Sequence, residues 1–133
     1  MTATPAPALL ALLGQLDRAF PNRSRVSDGI MGDDAHKARH SDHNTGDALD
    51  VTRDEENGPD LAVLRDSLLA DERVTYVILD RQIGNRSIED GRLRPYDGPD
   101  PHTHHLHVSI RSEAREDTTR WHLEAASPWE QTS

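Results

Sequence analysis

The segment His105 to Arg111 constrains the fold of this chain more than any other, because its residues alternate between polar and apolar types. Successive side chains of a β-strand point to opposite faces, so the alternation predicts a strand. The apolar positions, which we expect to pack into the core, are Leu106, Val108 and Ile110. The polar positions on the other face are His105, His107 and Ser109. A strand with one face in the core and two histidines on the other indicates a functional site on the polar face of the sheet.

Histidine is concentrated in two places. Eight histidines occur in 133 residues, and seven of them lie in the clusters 36–43 and 102–107. The chain has no cysteine, which excludes disulfides, thiolate nucleophiles and iron–sulfur clusters. A metal would therefore be held by nitrogen and oxygen ligands. The formal net charge of -9 argues against nonspecific binding to DNA or RNA, which depends on lysine and arginine.

Hydrophobic periodicity predicts further helices and strands. Apolar residues spaced by three and four predict a helix over 7–19 and a second over about 60–71, with the proline of Gly58-Pro59-Asp60 in the first turn of the second helix. Strands are predicted at Ala48 to Thr52 and Val74 to Leu79, and Gly84-Asn85 reads as a turn. The length fits one domain spanning 1–133, built from both helices and strands.

Two imidazoles and one carboxylate form the candidate metal site. His43 lies in a long polar stretch, and Asp50 lies on the non-core face of the strand that follows. Gly46 allows a tight turn that brings His43 back beside Asp50. With His107, they make three protein ligands and leave one open position, the pattern of a catalytic zinc site. His105, on the same strand face as His107, is the candidate general base.

Two motifs in this order resemble a known family. The pattern Ser41-x-His43-x-x-Gly46-x-Ala48-x-Asp50, followed by His105-x-His107, resembles the zinc peptidases of the lysostaphin, D-alanyl-D-alanine carboxypeptidase and hedgehog superfamily. Within it the chain looks most like VanY-type carboxypeptidases and related small phage endolysins. The resemblance implies Zn2+ bound by His43, Asp50 and His107, with His105 as the catalytic base. It also implies an α+β fold, in which a small antiparallel sheet carries the zinc site and helices pack on the other face.

The same resemblance implies the substrate and two substrate-binding residues. The expected substrate is the stem peptide of bacterial peptidoglycan. Ser41 matches the serine that precedes the first zinc histidine, where it contacts substrate or orients a ligand. Relatives use an upstream arginine to hold substrate or stabilise the oxyanion, and we choose Arg25 over Arg23 and Arg39 for this role. A cationic side chain suits it because the tetrahedral intermediate is negatively charged.

We therefore expect a monomeric zinc metallopeptidase that degrades the cell wall, either as a D-Ala-D-Ala carboxypeptidase or as an L-Ala-D-Glu endopeptidase. The N-terminal residues show no signal-peptide pattern and no membrane-spanning run. This favours a phage endolysin or a delivered lytic enzyme, made in the cytoplasm and acting on the wall after release.

Other readings stay open. A non-catalytic, zinc-stabilised binding module of the same fold would keep the metal without needing a base at His105. A metal nuclease would use Asp42-His43-Asn44, although the acidic net charge argues against it. The acidic clusters are expected to be solvated loop surface, with a calcium site as the lesser alternative. Four further histidines have no assigned role: His36, His40, His102 and His104.

Overall fold

Two helices and five strands form the part of the chain that the computed structural model describes, residues 4–30, 45–98 and 102–123. The helices are α1 (Pro7–Ala19) and α2 (Leu61–Leu69). The strands are β1 (Ala48–Thr52), β2 (Val74–Leu79), β3 (Gln82–Asn85), β4 (Arg94–Pro95) and β5 (His105–Ile110). Short 3-10 turns occur at Glu89–Gly91 and Ser112–Ala114. The expected α+β class is confirmed.

The five strands form one antiparallel sheet in the order β1-β5-β2-β3-β4. Strand β5 therefore lies between β1 and β2, although it comes last in the chain. The pairing of β1 with β5 places Asp50 opposite His107 and Thr52 opposite His105. Two distant parts of the sequence thus meet at one position on the sheet.

The apolar face of the sheet packs against both helices. The alternation predicted for β5 is confirmed, because its three apolar residues lie in the hydrophobic core. Strand β1 contributes Leu49 and Val51, which are fully buried. The helices contribute leucines from one side of each: Leu9, Leu12 and Leu16 from α1, and Leu61, Leu64 and Leu68 from α2. The histidines of β5 are left on the face away from the helices.

The chain after β5 returns to α1 and closes the core. Trp121 is buried, and its indole N–H donates to the carbonyl of Ala8 at 3.0 Å. The Arg73 guanidinium lies 3.7 Å from the centroid of the Trp121 ring and pairs with Asp71. Burial alone would raise the pKa of Asp71, but its bonds to Arg73 outweigh that effect and hold the pKa below the usual value.

Helix α2 differs from its prediction at both ends. It starts at Leu61 rather than at residue 60, and it ends at Leu69 rather than at residue 71. Asp60 is the N-cap, since its carboxylate accepts hydrogen bonds from the backbone N–H groups of Ala62 and Val63. Pro59 consequently precedes the cap and does not occupy the first turn.

The turn predicted at Gly84-Asn85 begins slightly later: both residues belong to β3, and Asn85 opens the turn that follows, because its carbonyl accepts from the Ile88 N–H at 2.9 Å. The reversal between β2 and β3 is at Asp80 and Arg81, whose φ values of 50° and 65° match a two-residue hairpin turn. Gly84 serves close packing: a Cβ there would lie 2.9 Å from the backbone carbonyl oxygen of Gly91 and 2.8 Å from a methyl carbon of Leu69. The end of Leu69 can move aside, whereas the Gly91 backbone cannot, so this position has no room for a side chain.

Neither of the two helices among the described residues has the length and apolar character that crossing a membrane requires.

Candidate metal centre

The carboxylate of Asp50 lies between two imidazoles on the polar face of the sheet. Its Oδ1 is 3.3 Å from Nδ1 of His107, and its Oδ2 is 3.7 Å from Nε2 of His105. All three side chains are at most 16% exposed. The proximity follows from the sheet, because Asp50 is the register partner of His107 and the two histidines share one face of β5. Three of the residues that the sequence singled out are therefore neighbours.

The pair formed by Asp50 and His107 fits joint ligation of zinc. Zinc–nitrogen and zinc–oxygen bonds of about 2.0–2.1 Å in a tetrahedron place neighbouring ligand atoms about 3.3 Å apart. The distance between Oδ1 of Asp50 and Nδ1 of His107 is 3.3 Å. The other ring nitrogen of His107 lies 2.8 Å from Oγ of Ser109, and Tyr76 stacks on the ring at 5.4 Å. Such outer contacts fix the orientation of a ligating imidazole.

His102 also belongs to this centre, although its role was left open in the sequence. It is buried, and its ring meets those of His105 and His107 edge-on at centroid distances of 5.0 and 5.5 Å. Asp50, His102 and His105 each offer a ligand atom within 4.8 Å of the other two. Among the described residues, these three form the one group of histidines and acidic residues whose ligand atoms lie this close together.

The backbone of His102 explains why sequence spacing missed it. Its φ of 56° lies in the left-handed region, which a residue other than glycine seldom adopts. Strand alternation says nothing of a residue in the loop before β5, so the direction of its ring was not predictable. The one usable signal was its place in the second histidine cluster.

Arg53 holds the loop that carries His102. Its backbone N–H donates to the carbonyl of His104, and its Nε donates to the carbonyl of Thr103. Its Nη2 contacts both carboxylate oxygens of Asp80 at 2.7 Å. The Asp80 N–H in turn donates to the carbonyl of His102 at 2.9 Å. This ring of contacts ties the loop to the ends of β1 and β2, and sequence reasoning did not single out Arg53 or Asp80.

The segment 23–30 lies along the outer edge of β1 and holds the backbone of Asp50. The backbones of Gly29 and Asp50 form an isolated antiparallel bridge, with N···O distances of 2.9 and 3.3 Å. One residue earlier, the Asp28 carboxylate binds the buried guanidinium of Arg23. Burial would lower the pKa of Arg23, but its bonds to Asp28 and Asp17 outweigh that effect and raise it.

The remaining predicted site residues fall in different places. His43 and Ser41 lie outside the described residues, as do His36 and His40. Arg25 lies beside α1, where its Nε donates to Asp17 at 2.9 Å and 47% of its side chain is exposed. Its role toward substrate stays a prediction. His104, which directly precedes β5, is exposed, as expected.

No protein-family model, no curated protein and no solved structure matches this chain. The resemblance to zinc peptidases therefore depends on the two sequence motifs alone.

The donor atoms at this centre suit a borderline metal ion. Imidazole nitrogens and a carboxylate oxygen are ligands that zinc accepts, whereas calcium and magnesium prefer oxygen alone. The described side chains of Asp50, His102, His105 and His107 are therefore donors that fit Zn2+, and ligation by Asp50, His107 and His43 stays a prediction. His105 would then face the same carboxylate from the other oxygen.

Proposed function

We propose that the chain is a zinc-dependent peptidase that hydrolyses an amide bond in peptidoglycan stem peptides. The observation that carries the proposal is the convergence of His105 and His107 on the two oxygens of Asp50. The motif Ser41-x-His43-x-x-Gly46-x-Ala48-x-Asp50 supports the substrate class through its resemblance to the family. A binding module would need the ligands alone, whereas an imidazole at position 105 is useful for moving a proton.

Each residue has a defined task in this reaction. Bound zinc supplies Lewis acidity, which lowers the pKa of a ligated water to about 7 and polarises a carbonyl. Asp50 and His107 would hold the ion, with His43 as the predicted third ligand. Nε2 of His105 accepts the proton of the attacking water and then donates it to the leaving amine. The nearby Oδ2 of Asp50 stabilises the imidazolium that forms between these two transfers.

Arg25 is proposed to meet the substrate after leaving Asp17. Both side chains are more than one third exposed, and an exposed ion pair is worth about 0–1 kcal/mol. Exchanging Asp17 for a substrate carboxylate or an oxyanion therefore costs little. Ser41, the residue two before His43, is proposed to contact the peptide or orient a ligand.

The test is digestion of purified bacterial walls by the zinc-loaded protein. We expect soluble peptide fragments or free D-alanine, which distinguish an internal L-Ala-D-Glu cut from a terminal D-Ala-D-Ala cut. His107→Ala should lose tightly bound zinc and activity together. His105→Ala should keep that ion and lose the rate by about 100-fold or more. The exposed His104→Ala is the matched control and should behave as wild type.

Two results would contradict the proposal. A zinc-loaded protein that releases nothing from walls of several compositions would leave the binding module as the better account. Full activity in His105→Ala would remove the base on which the mechanism depends.

A further inference from the structure

The Asp50 carboxylate presents its two oxygens to two different groups of nitrogen donors. Oδ1 faces Nδ1 of His107, which is part of the proposed zinc site. Oδ2 faces Nε2 of His105, and His102 offers a further imidazole with a ligand atom within 4.8 Å of those of Asp50 and His105. A carboxylate with donors on both sides can bind one cation through each oxygen. The proposed function uses only the first of these positions.

We propose that Asp50, His102 and His105 form a second divalent-cation site, and that an ion bound there removes His105 from proton transfer. Binding itself is independent of the proposed function, whereas the inhibitory effect rests on it. Two imidazoles and a carboxylate make a donor set of the kind that zinc accepts. The three side chains are also mostly buried, so few waters compete for their donor atoms.

The second site should bind more weakly than the first. Its three ligand atoms lie within 4.8 Å of one another, whereas joint ligation of zinc requires separations of about 3.3 Å. The rings must therefore close around the ion. The loop of His102 resists this movement, because Arg53 and Asp80 hold its backbone. We expect the second ion to bind only when zinc exceeds one equivalent.

Occupation of this site has a direct chemical consequence. The lone pair of Nε2 of His105 either accepts a proton or binds a cation, and it cannot do both. A chain with two ions would thus have an intact first site and no available base. Activity should rise as the first equivalent of zinc binds and fall as the second one does.

His102→Asn is the variant that isolates the second site. Asparagine tolerates the left-handed backbone of residue 102, where φ is 56°, better than most residues do. Its amide is a poor zinc ligand beside an imidazole. His104→Asn makes the same change at an exposed histidine two residues away and serves as the matched control. Thermal melts of both variants verify that they fold.

The experiment is a titration of the metal-free full chain with zinc at pH 7, in which bound metal is measured by equilibrium dialysis. We expect two ions per chain for wild type and for His104→Asn, and one for His102→Asn. Peptidase activity should fall at excess zinc in wild type and stay constant in His102→Asn. A wild-type chain that saturates at one ion, or none, overturns the proposal, and this holds even if His102→Asn fails to fold. Two ions retained by folded His102→Asn would also overturn it.

Failure of this site and failure of the proposed function give different results. A chain that binds two ions, loses one with His102→Asn and hydrolyses no wall peptide supports the site and contradicts the peptidase. A chain that hydrolyses wall peptides and binds one ion supports the peptidase and contradicts the second site.

Discussion

Asp28 is the anchor of the segment that runs alongside β1, and neutralising it should destabilise the fold. Its carboxylate accepts hydrogen bonds from two Arg23 nitrogens at 3.2 and 2.6 Å. It also accepts from the backbone N–H of Thr52 at 2.9 Å and from the Thr52 hydroxyl at 2.7 Å. The side chain of Arg23 is fully buried, and its other carboxylate partner is Asp17. Asp28→Asn keeps the shape of the residue and removes its charge.

The expected cost follows from these contacts. Removing one partner of a buried ion pair costs roughly 3–5 kcal/mol, because a buried charge is left uncompensated. Arg23 would retain Asp17, so we expect the lower end, about 3 kcal/mol. At about 2.1 cal/mol/K per residue, a chain of 133 residues has an unfolding entropy near 0.28 kcal/mol/K. A loss of about 3 kcal/mol should then lower Tm by about 10 °C.

Urea unfolding at pH 7 measures this loss, with Asp66→Asn as the control. Asp66 lies on α2, 68% of its side chain is exposed, and its neutralisation should change the free energy of unfolding by less than about 0.5 kcal/mol. Asp28→Asn should also weaken zinc binding, since Gly29 bridges the backbone of Asp50. A loss below about 1 kcal/mol would refute the reasoning, because it would mean that Asp17 alone satisfies Arg23.

Three further predictions follow from the core, the ion pairs and the metal site. Asp71→Asn should lower the free energy of unfolding by roughly 3 kcal/mol at pH 7, as measured by urea unfolding. Because the pKa of Asp71 is lowered in the folded state, this difference from wild type should persist above about pH 4. It should disappear as the pH falls through the folded-state pKa, in the same assay at several pH values. Leu106→Ala should cost about 2–5 kcal/mol in the same assay, since Leu106 is fully buried beneath the site; a loss under 1 kcal/mol would contradict its place in the core. Free zinc at 100 times its Kd should stabilise wild type by about 2.7 kcal/mol in thermal melts, and Asp50→Asn should abolish the shift, so a shift that survives would place the ion elsewhere.

Local pattern was sufficient for the elements with regular periodicity. The bounds of α1, β1 and β2 agree with their predictions, because α1 and β1 have an apolar period and β2 is a run of β-branched and aromatic residues. The same reasoning placed His105 and His107 on one face of β5. Strands β3 and β4 were not predicted, since they are short and have few apolar residues.

Tertiary features of the site were beyond local pattern. The opposition of Asp50 and His107 depends on the register between strands that are distant in sequence. The place of His102 depends on a left-handed backbone that Arg53 and Asp80 hold through carbonyl and carboxylate contacts. Spacing identifies which residues can bind a metal, but hydrogen bonds between loops decide which of them meet.

The most direct test of the central claim is mass spectrometry of a defined stem peptide incubated with the zinc-loaded chain. Hydrolysis should add one water across a single amide bond, and the product masses identify that bond. We predict such products for wild type, their loss after chelation of zinc, and their near absence with His105→Ala, which should still bind one zinc ion. An uncleaved peptide in the presence of folded, zinc-loaded wild type would contradict the account.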